Sequence, residues 1–110
     1  MKIHFNSIEL QTECNCFQQL VLKYGVNHAR RIRQRIDELV AAHNLADFMT
    51  LPAPKCQLLN GKNTGQLSIE TIHPFRILLK PTFNDSVHLQ ADSAQWASIT
   101  ELIVLSIETD

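Results

Sequence analysis

At 110 residues the chain is long enough for one domain, residues 1–110, with a core of its own, and too short for two. A hydrophobic share of 45% against a charged share of 19% excludes a disordered chain, and a net charge of −1 excludes a global basic footprint for nucleic acid. No apolar run exceeds four residues and the start MKIHFNS lacks the apolar stretch of a secretory signal, so the expectation is a cytoplasmic protein with no membrane partner.

In chain order, Lys2 to Asn6 reads as a short strand. Asn6 or Ser7 then caps a helix, because a short side-chain oxygen satisfies the free N–H groups at its start. Leu10, Cys14, Phe17, Val21 and Tyr24 recur at spacings of four and three, which predicts one amphipathic helix ending at Gly25 in a left-handed cap. Asn27 caps a second helix with Ala29, Ile32, Ile36, Leu39 or Val40, and His43 on its apolar side. Arg30, Arg31 and Arg35 fall on the opposite arc, with Arg33 at its margin. Leu51 to Pro54, LPAP, ends helical structure and starts a loop.

Beyond the loop, Cys56–Leu59 and Gln66–Ile72 read as strands joined by the glycine-bearing hairpin NGKNTG. Leu67, Ile69 and Thr71 point one way and Ser68 and Glu70 the other. His73-Pro74 turns the chain into Phe75–Lys80, where Phe75, Ile77 and Leu79 share a face opposite Arg76, Leu78 and Lys80. Residues 81–97 read as a polar loop carrying Trp96, which could stack on a base but at a strand entrance more commonly anchors the core, and Ile99 to Ile107 as a central strand. The predicted fold is α+β: two N-terminal helices packed on one face of a mostly antiparallel, about five-stranded sheet. The all-apolar row takes the helix-covered side, leaving Arg76 and Lys80 on an open face.

Three stretches carry a resemblance: KYGVNHARRIRQRIDELVAAHNLADFMTLP (Lys23–Pro52), CQLLNGKNTGQLSIE (Cys56–Glu70) and HPFRILLKP (His73–Pro81). Together they resemble the RelE/ParE superfamily of type II toxin–antitoxin toxins, most closely the HigB-like killer proteins. The resemblance is a distributed pattern over nearly the whole chain, strongest in NLAD…LP and GQLS…HPFR. It implies a RelE/ParE-like toxin domain that cleaves mRNA on the ribosome by attack of the RNA's own 2′-hydroxyl. It also implies a cognate antitoxin, often a helix-turn-helix protein. Arg76 matches the arginine of the family's strand that meets phosphate. Gln57 and Asn60 stand where the family commonly has a histidine and a lysine, and in many members a tyrosine and a histidine follow an aspartate like Asp110. The resemblance therefore leaves a second expectation open, a toxin acting by binding, as gyrase inhibitors do, or a weakened toxin kept for its antitoxin complex. An unrelated small α+β binding module is the third.

Cleavage by a 2′-hydroxyl needs a proton acceptor, charge on the phosphorane and a proton for the leaving oxygen. Arginine suits the second need, since its planar fork pairs phosphate oxygens and keeps its charge. The candidate catalytic residues are Arg76 and, as proton carrier, His73. Arg30, Arg31, Arg35, Lys62 and Lys80 are the candidate contacts to RNA and the ribosome, because Lys23 to Arg35 holds five basic residues and no acid. No cofactor is expected. The histidines show no metal-ligand spacing, and three scattered cysteines, Cys14, Cys16 and Cys56, read as reduced thiols.

Overall fold

A computed structural model of the chain describes residues 1–59, 65–82 and 96–109. Strand β1 is Lys2–Phe5. Helix α1 is Ile8–Asn15, and its cap is Ser7, whose Oγ accepts the Leu10 N–H at 3.1 Å. The single helix predicted through Tyr24 is instead divided: Cys16 is extended (φ −122°, ψ 104°), and α2 restarts at Phe17–Tyr24. Asn15 and Cys16 are weak helix formers, so little local preference opposes the break. The break re-aims the second half. Leu20, outside the predicted stripe, is fully buried, while Phe17, inside it, is 36% exposed.

Gly25 closes α2 by donating to the Val21 carbonyl at 2.8 Å, and it also precedes α3, Val26–Ala41. Its backbone, at φ 86° and ψ 161°, lies outside the predicted left-handed helical cap, in a region that only glycine occupies freely. In α3 the 3.6-residue period brings Ala29, Ile32, Ile36 and Leu39 into the core, as the sequence predicts. His43 lies beyond the helix end and is exposed.

Helix α4, Leu45–Met49, stands where the sequence reading places no element. Asn44 Oδ1 accepts the Asp47 N–H at 2.8 Å, and Asp47 Oδ2 accepts the His43 N–H at 3.1 Å. This reciprocal cap lets one short turn bury Leu45 and Phe48. NLAD is thus a capping sequence with a physical purpose.

The strands are β2 (Gln57–Leu58), β3 (Leu67–Glu70), β4 (Phe75–Pro81) and β5 (Glu101–Thr109). They form one five-stranded sheet in the order β1-β5-β4-β3-β2. The sheet is mixed: β1 runs parallel to β5, and the other three pairs are antiparallel. The parallel pair joins the first and last of these strands, so the helices and β2–β4 together form the long crossover that parallel pairing requires. With four helices among the described residues and this pairing, the fold is α+β, but the helix count differs from the predicted two.

Leu67, Ile69, Ile77, Leu79, Leu102 and Val104 form one buried cluster with the inward residues of the helices. Half-buried Trp96 packs against that cluster, the anchoring role the sequence suggests. In β5, Ser106 pairs with Leu78 and Val104 with Leu79, leaving Leu105 as a bulge. The extra residue resets the alternation, so that Ile107 rather than Ser106 packs on the core. On the opposite face Leu78 and Ser68 are also buried, so that face is less open than predicted.

Candidate functional site

Arg76 occupies the second position of β4, on the side away from Ile77 and Leu79. Strand pairing places Glu70 opposite it on β3 and Glu108 opposite it on β5. Residues opposite each other across a ladder lie about 5 Å apart at Cβ, so the guanidinium has a carboxylate neighbour on each side. Glu70 also meets Lys55 at 3.7 Å. Two cations and two carboxylates thus nearly balance. The residue is half-buried with its Nε shielded from solvent, less open than the predicted solvent-reachable arginine.

The turn before β4 is built by backbone and side chain together. Thr71 Oγ1 donates to the Phe75 carbonyl at 2.9 Å, the Phe75 N–H donates to Ile72 at 2.9 Å, and the His73-Pro74 peptide is cis. His73 sits in this turn and is exposed, three positions from Arg76. Lys80 is exposed on the same side of β4 as Arg76, roughly 13 Å along the strand at 3.3 Å per residue. Lys62 and Asn60 lie outside the described residues.

The basic run on the helices is much reduced by pairing. Lys23 Nζ meets Glu13 Oε1 at 2.9 Å, and Arg33 Nε meets Asp37 Oδ1 at 3.5 Å. Arg35, predicted on the solvent arc with Arg30 and Arg31, is 1% exposed. Its Nε donates to the Glu70 carbonyl oxygen at 2.8 Å and its Nη1 to Glu38 Oε1 at 2.7 Å. A guanidinium with two such acceptors can be buried, because its hydrogen bonds replace those of water. Arg35 is therefore removed from the RNA-facing set; it is a structural residue. Exposed Arg30 and half-buried Arg31 form no ion pair among the described residues and are what remains of the patch. Beside them a shallow groove of about 490 Å³ runs between Phe17 and Ala41, edged by Arg30, Arg33, Asp37 and Glu38.

One pair escaped the sequence reading. His4 Nε2 lies 3.1 Å from Glu101 Oε2, ninety-seven residues apart in the chain, and Thr82 Oγ1 is 3.4 Å from the same carboxylate oxygen. Both side chains are about 40% exposed, His4 at 40% and Glu101 at 41%. The available signal was alternation: His4 lies between the inward residues Ile3 and Phe5, and Glu101 precedes inward Leu102. Their pairing depends on β1 lying beside β5, which no local pattern announces.

Elsewhere, Phe75 receives Tyr24 and His28 edge-on, with ring centroids 5.1 and 4.8 Å away. Burial raises the Tyr24 hydroxyl above its ordinary range, and the hydrogen bond to Glu13 raises Lys23. Burial pushes the Cys14 thiol up to about 11 and the Cys56 thiol up to about 12, which keeps both protonated. All three cysteines are free. No group of three or more metal-ligating side chains occurs among the described residues, and no helix there is long and apolar enough to cross a membrane.

Comparison of the chain with protein-family models and with curated proteins found no match.

Proposed function

We propose that this protein is the toxin of a bacterial type II toxin–antitoxin system, with a RelE/ParE-like, HigB-like domain that cleaves mRNA on the ribosome. The observation that supports this reading is the position of Arg76. It is held in a central strand, on the face away from the main core, with Lys80 on the same side. That arrangement gives the phosphate backbone a fixed cation on a rigid element and a second, flexible one farther along the same strand. The stretches that carry the resemblance also have coherent structural work: NLAD caps α4, and HPFR makes the turn into β4. In this reading Arg76 pairs with a phosphate of the message, His73 is the exposed imidazole nearest to it in the chain, and Arg30 and Arg31 contact ribosomal RNA. A neighbouring-gene antitoxin of helix-turn-helix type is the expected partner.

A second reading, a toxin acting by binding alone, is favoured by one feature. Glu70 and Glu108 flank Arg76 in register and offset the charge it would lend to a phosphorane. Induced expression separates the readings. Growth arrest relieved by a co-expressed antitoxin, with new 5′ ends on cellular messages, is the expected result. Arrest with a DNA-damage response and intact messages supports the binding toxin, and normal growth at high soluble expression ends both.

A further inference from the structure

We propose that His4, Glu101 and Lys80 form the proton-transfer and phosphate-holding site of this protein, on the sheet face at the β4–β5–β1 end. The proposal rests on the reading of an RNA-cleaving enzyme and supplies the proton acceptor that Gln57 and Asn60 do not. In register, Lys80 of β4 lies opposite Ile103 of β5, which lies opposite His4 of β1. Two strand spacings put the Lys80 and His4 backbones roughly 10 Å apart, so a phosphodiester fits between ammonium and imidazole over Ile103. Glu101 stands two positions before Ile103 and holds His4 Nε2 at 3.1 Å. A carboxylate only accepts hydrogen bonds, so it selects the neutral tautomer with the proton on Nε2 and leaves the Nδ1 lone pair as the base. Thr82 Oγ1 lies 3.4 Å from the same oxygen, a long contact that leaves the carboxylate to His4.

The other charged group on β1 is exposed Lys2, paired in register with Glu101. On the edge side, His4 lines a cleft of about 330 Å³ with Ile3, Phe5, Gln11, Asn15, Ile36 and Val40, none of which titrates. Among the described residues, the base is therefore governed by one carboxylate and two lysines. In the step, His4 Nδ1 takes the 2′-hydroxyl proton as the 2′-oxygen bonds to phosphorus. The bond from phosphorus to the 5′-oxygen breaks, that oxygen takes a proton from water, and the imidazolium neutralises the hydroxide formed. The products are a 2′,3′-cyclic phosphate and a 5′-hydroxyl end. Lys80 offsets the charge on the phosphorane, and Arg76, farther along β4, holds a different phosphate of the same strand.

The test is single-turnover cleavage of a reporter message on translating ribosomes, from pH 5 to 8, with thermal melting as the folding check. His4→Gln is expected to lose on the order of 100-fold or more in rate. Lys80→Gln is expected to lose on the order of 100-fold in rate. Glu101→Gln is expected to lose less than His4→Gln. If wild type cleaves and folded His4→Gln cleaves at full rate, the proposal is overturned while the ribonuclease reading stands. If wild type does not cleave, that reading fails, and NMR titration with uridine 3′-monophosphate decides the site. His4 ring signals that move in wild type but not in Lys80→Gln support a phosphate site; unmoved signals overturn it.

Discussion

Arg35 Nε donates to the carbonyl oxygen of Glu70 at 2.8 Å, so the middle of α3 is tied to the last residue of β3, the one paired with Arg76. Replacing Arg35 with methionine keeps volume but strands both the Glu70 carbonyl and the Glu38 carboxylate. The expected loss is about 1–3 kcal/mol, since the Glu70 carbonyl loses its donor while the half-buried Glu38 carboxylate can still be hydrated. Arg35→Lys restores the charge but not the fork of two bonds, and should recover only part of it. Chemical denaturation of the purified protein measures both; a loss near zero for methionine would show that the tie contributes nothing.

Gly25→Ala tests the α2–α3 junction. An added Cβ meets nothing within 4 Å, so any effect comes from the backbone at φ 86° alone. Holding a residue with a side chain there costs on the order of 1–3 kcal/mol. Gly25→Asn should fare no better, because ψ 161° is not the left-handed helical conformation asparagine tolerates. A melting temperature unchanged in both would refute this account.

The buried Cys14 and half-buried Cys56 thiols give a pH dependence with a definite sign. Cys14 and Cys56 ionise at about 11 and about 12 in the folded protein, against 9.0 for the exposed thiol. Above pH 9 the unfolded chain releases these protons while the folded one keeps them, so stability is full below pH 9 and falls as pH rises toward 11–12. The slope approaches roughly 1.4 kcal/mol per pH unit for each thiol. Cys14→Ala should be less stable at neutral pH yet flatter above pH 9. Urea midpoints at pH 8, 9 and 10 provide the measurement, and an equal slope in the variant counts against it.

The sequence made the local parts of this fold readable. The α3 stripe, the cap at Ser7 and the alternation of β4 each follow from a few neighbouring residues, and each stands in the structure. What could not be read depends on distant partners. Cys16 sits within a segment whose apolar stripe suits a continuous helix, and only packing of Leu20 reveals the break. Arg35 carries the same side chain as Arg30 and Arg31, but it faces the Glu70 carbonyl, whose position is set by β3 thirty-five residues away. His4 and Glu101 needed the parallel pairing of the chain's two ends. The candidate site was therefore half legible: Arg76 and Lys80 from strand alternation, the His4–Glu101 pair from topology alone.

With Arg35 buried and Arg33 paired, the basic face reduces to Arg30 and Arg31. If these two meet ribosomal RNA, Arg30→Gln with Arg31→Gln should lower the slope of log binding against log salt by ~0.7–0.9 for each phosphate the variant no longer neutralises. Co-sedimentation with ribosomes across a salt series reads the slope. Identical slopes for variant and wild type would mean that the face is only solvated.

The last prediction concerns Arg76 itself. Arg76→Ala removes the cation between Glu70 and Glu108, which lie on the two strands flanking β4, and leaves only Lys55, beside Glu70, to offset them. Because the residue is half-buried, stability should fall by about 1–2 kcal/mol, more than an exposed arginine would give up. The reading proposed for the protein adds a kinetic expectation. If Arg76 contacts a phosphate of the message, cleavage should drop on the order of 100-fold or more at a temperature where the variant is fully folded. Arg76→Lys discriminates between the two roles. Lysine keeps the positive charge between the glutamates, so it should restore stability. It lacks the planar fork that pairs two phosphate oxygens, so it should not restore the rate. Stability and cleavage recovering together in Arg76→Lys would reduce the role of Arg76 to a charge within the sheet.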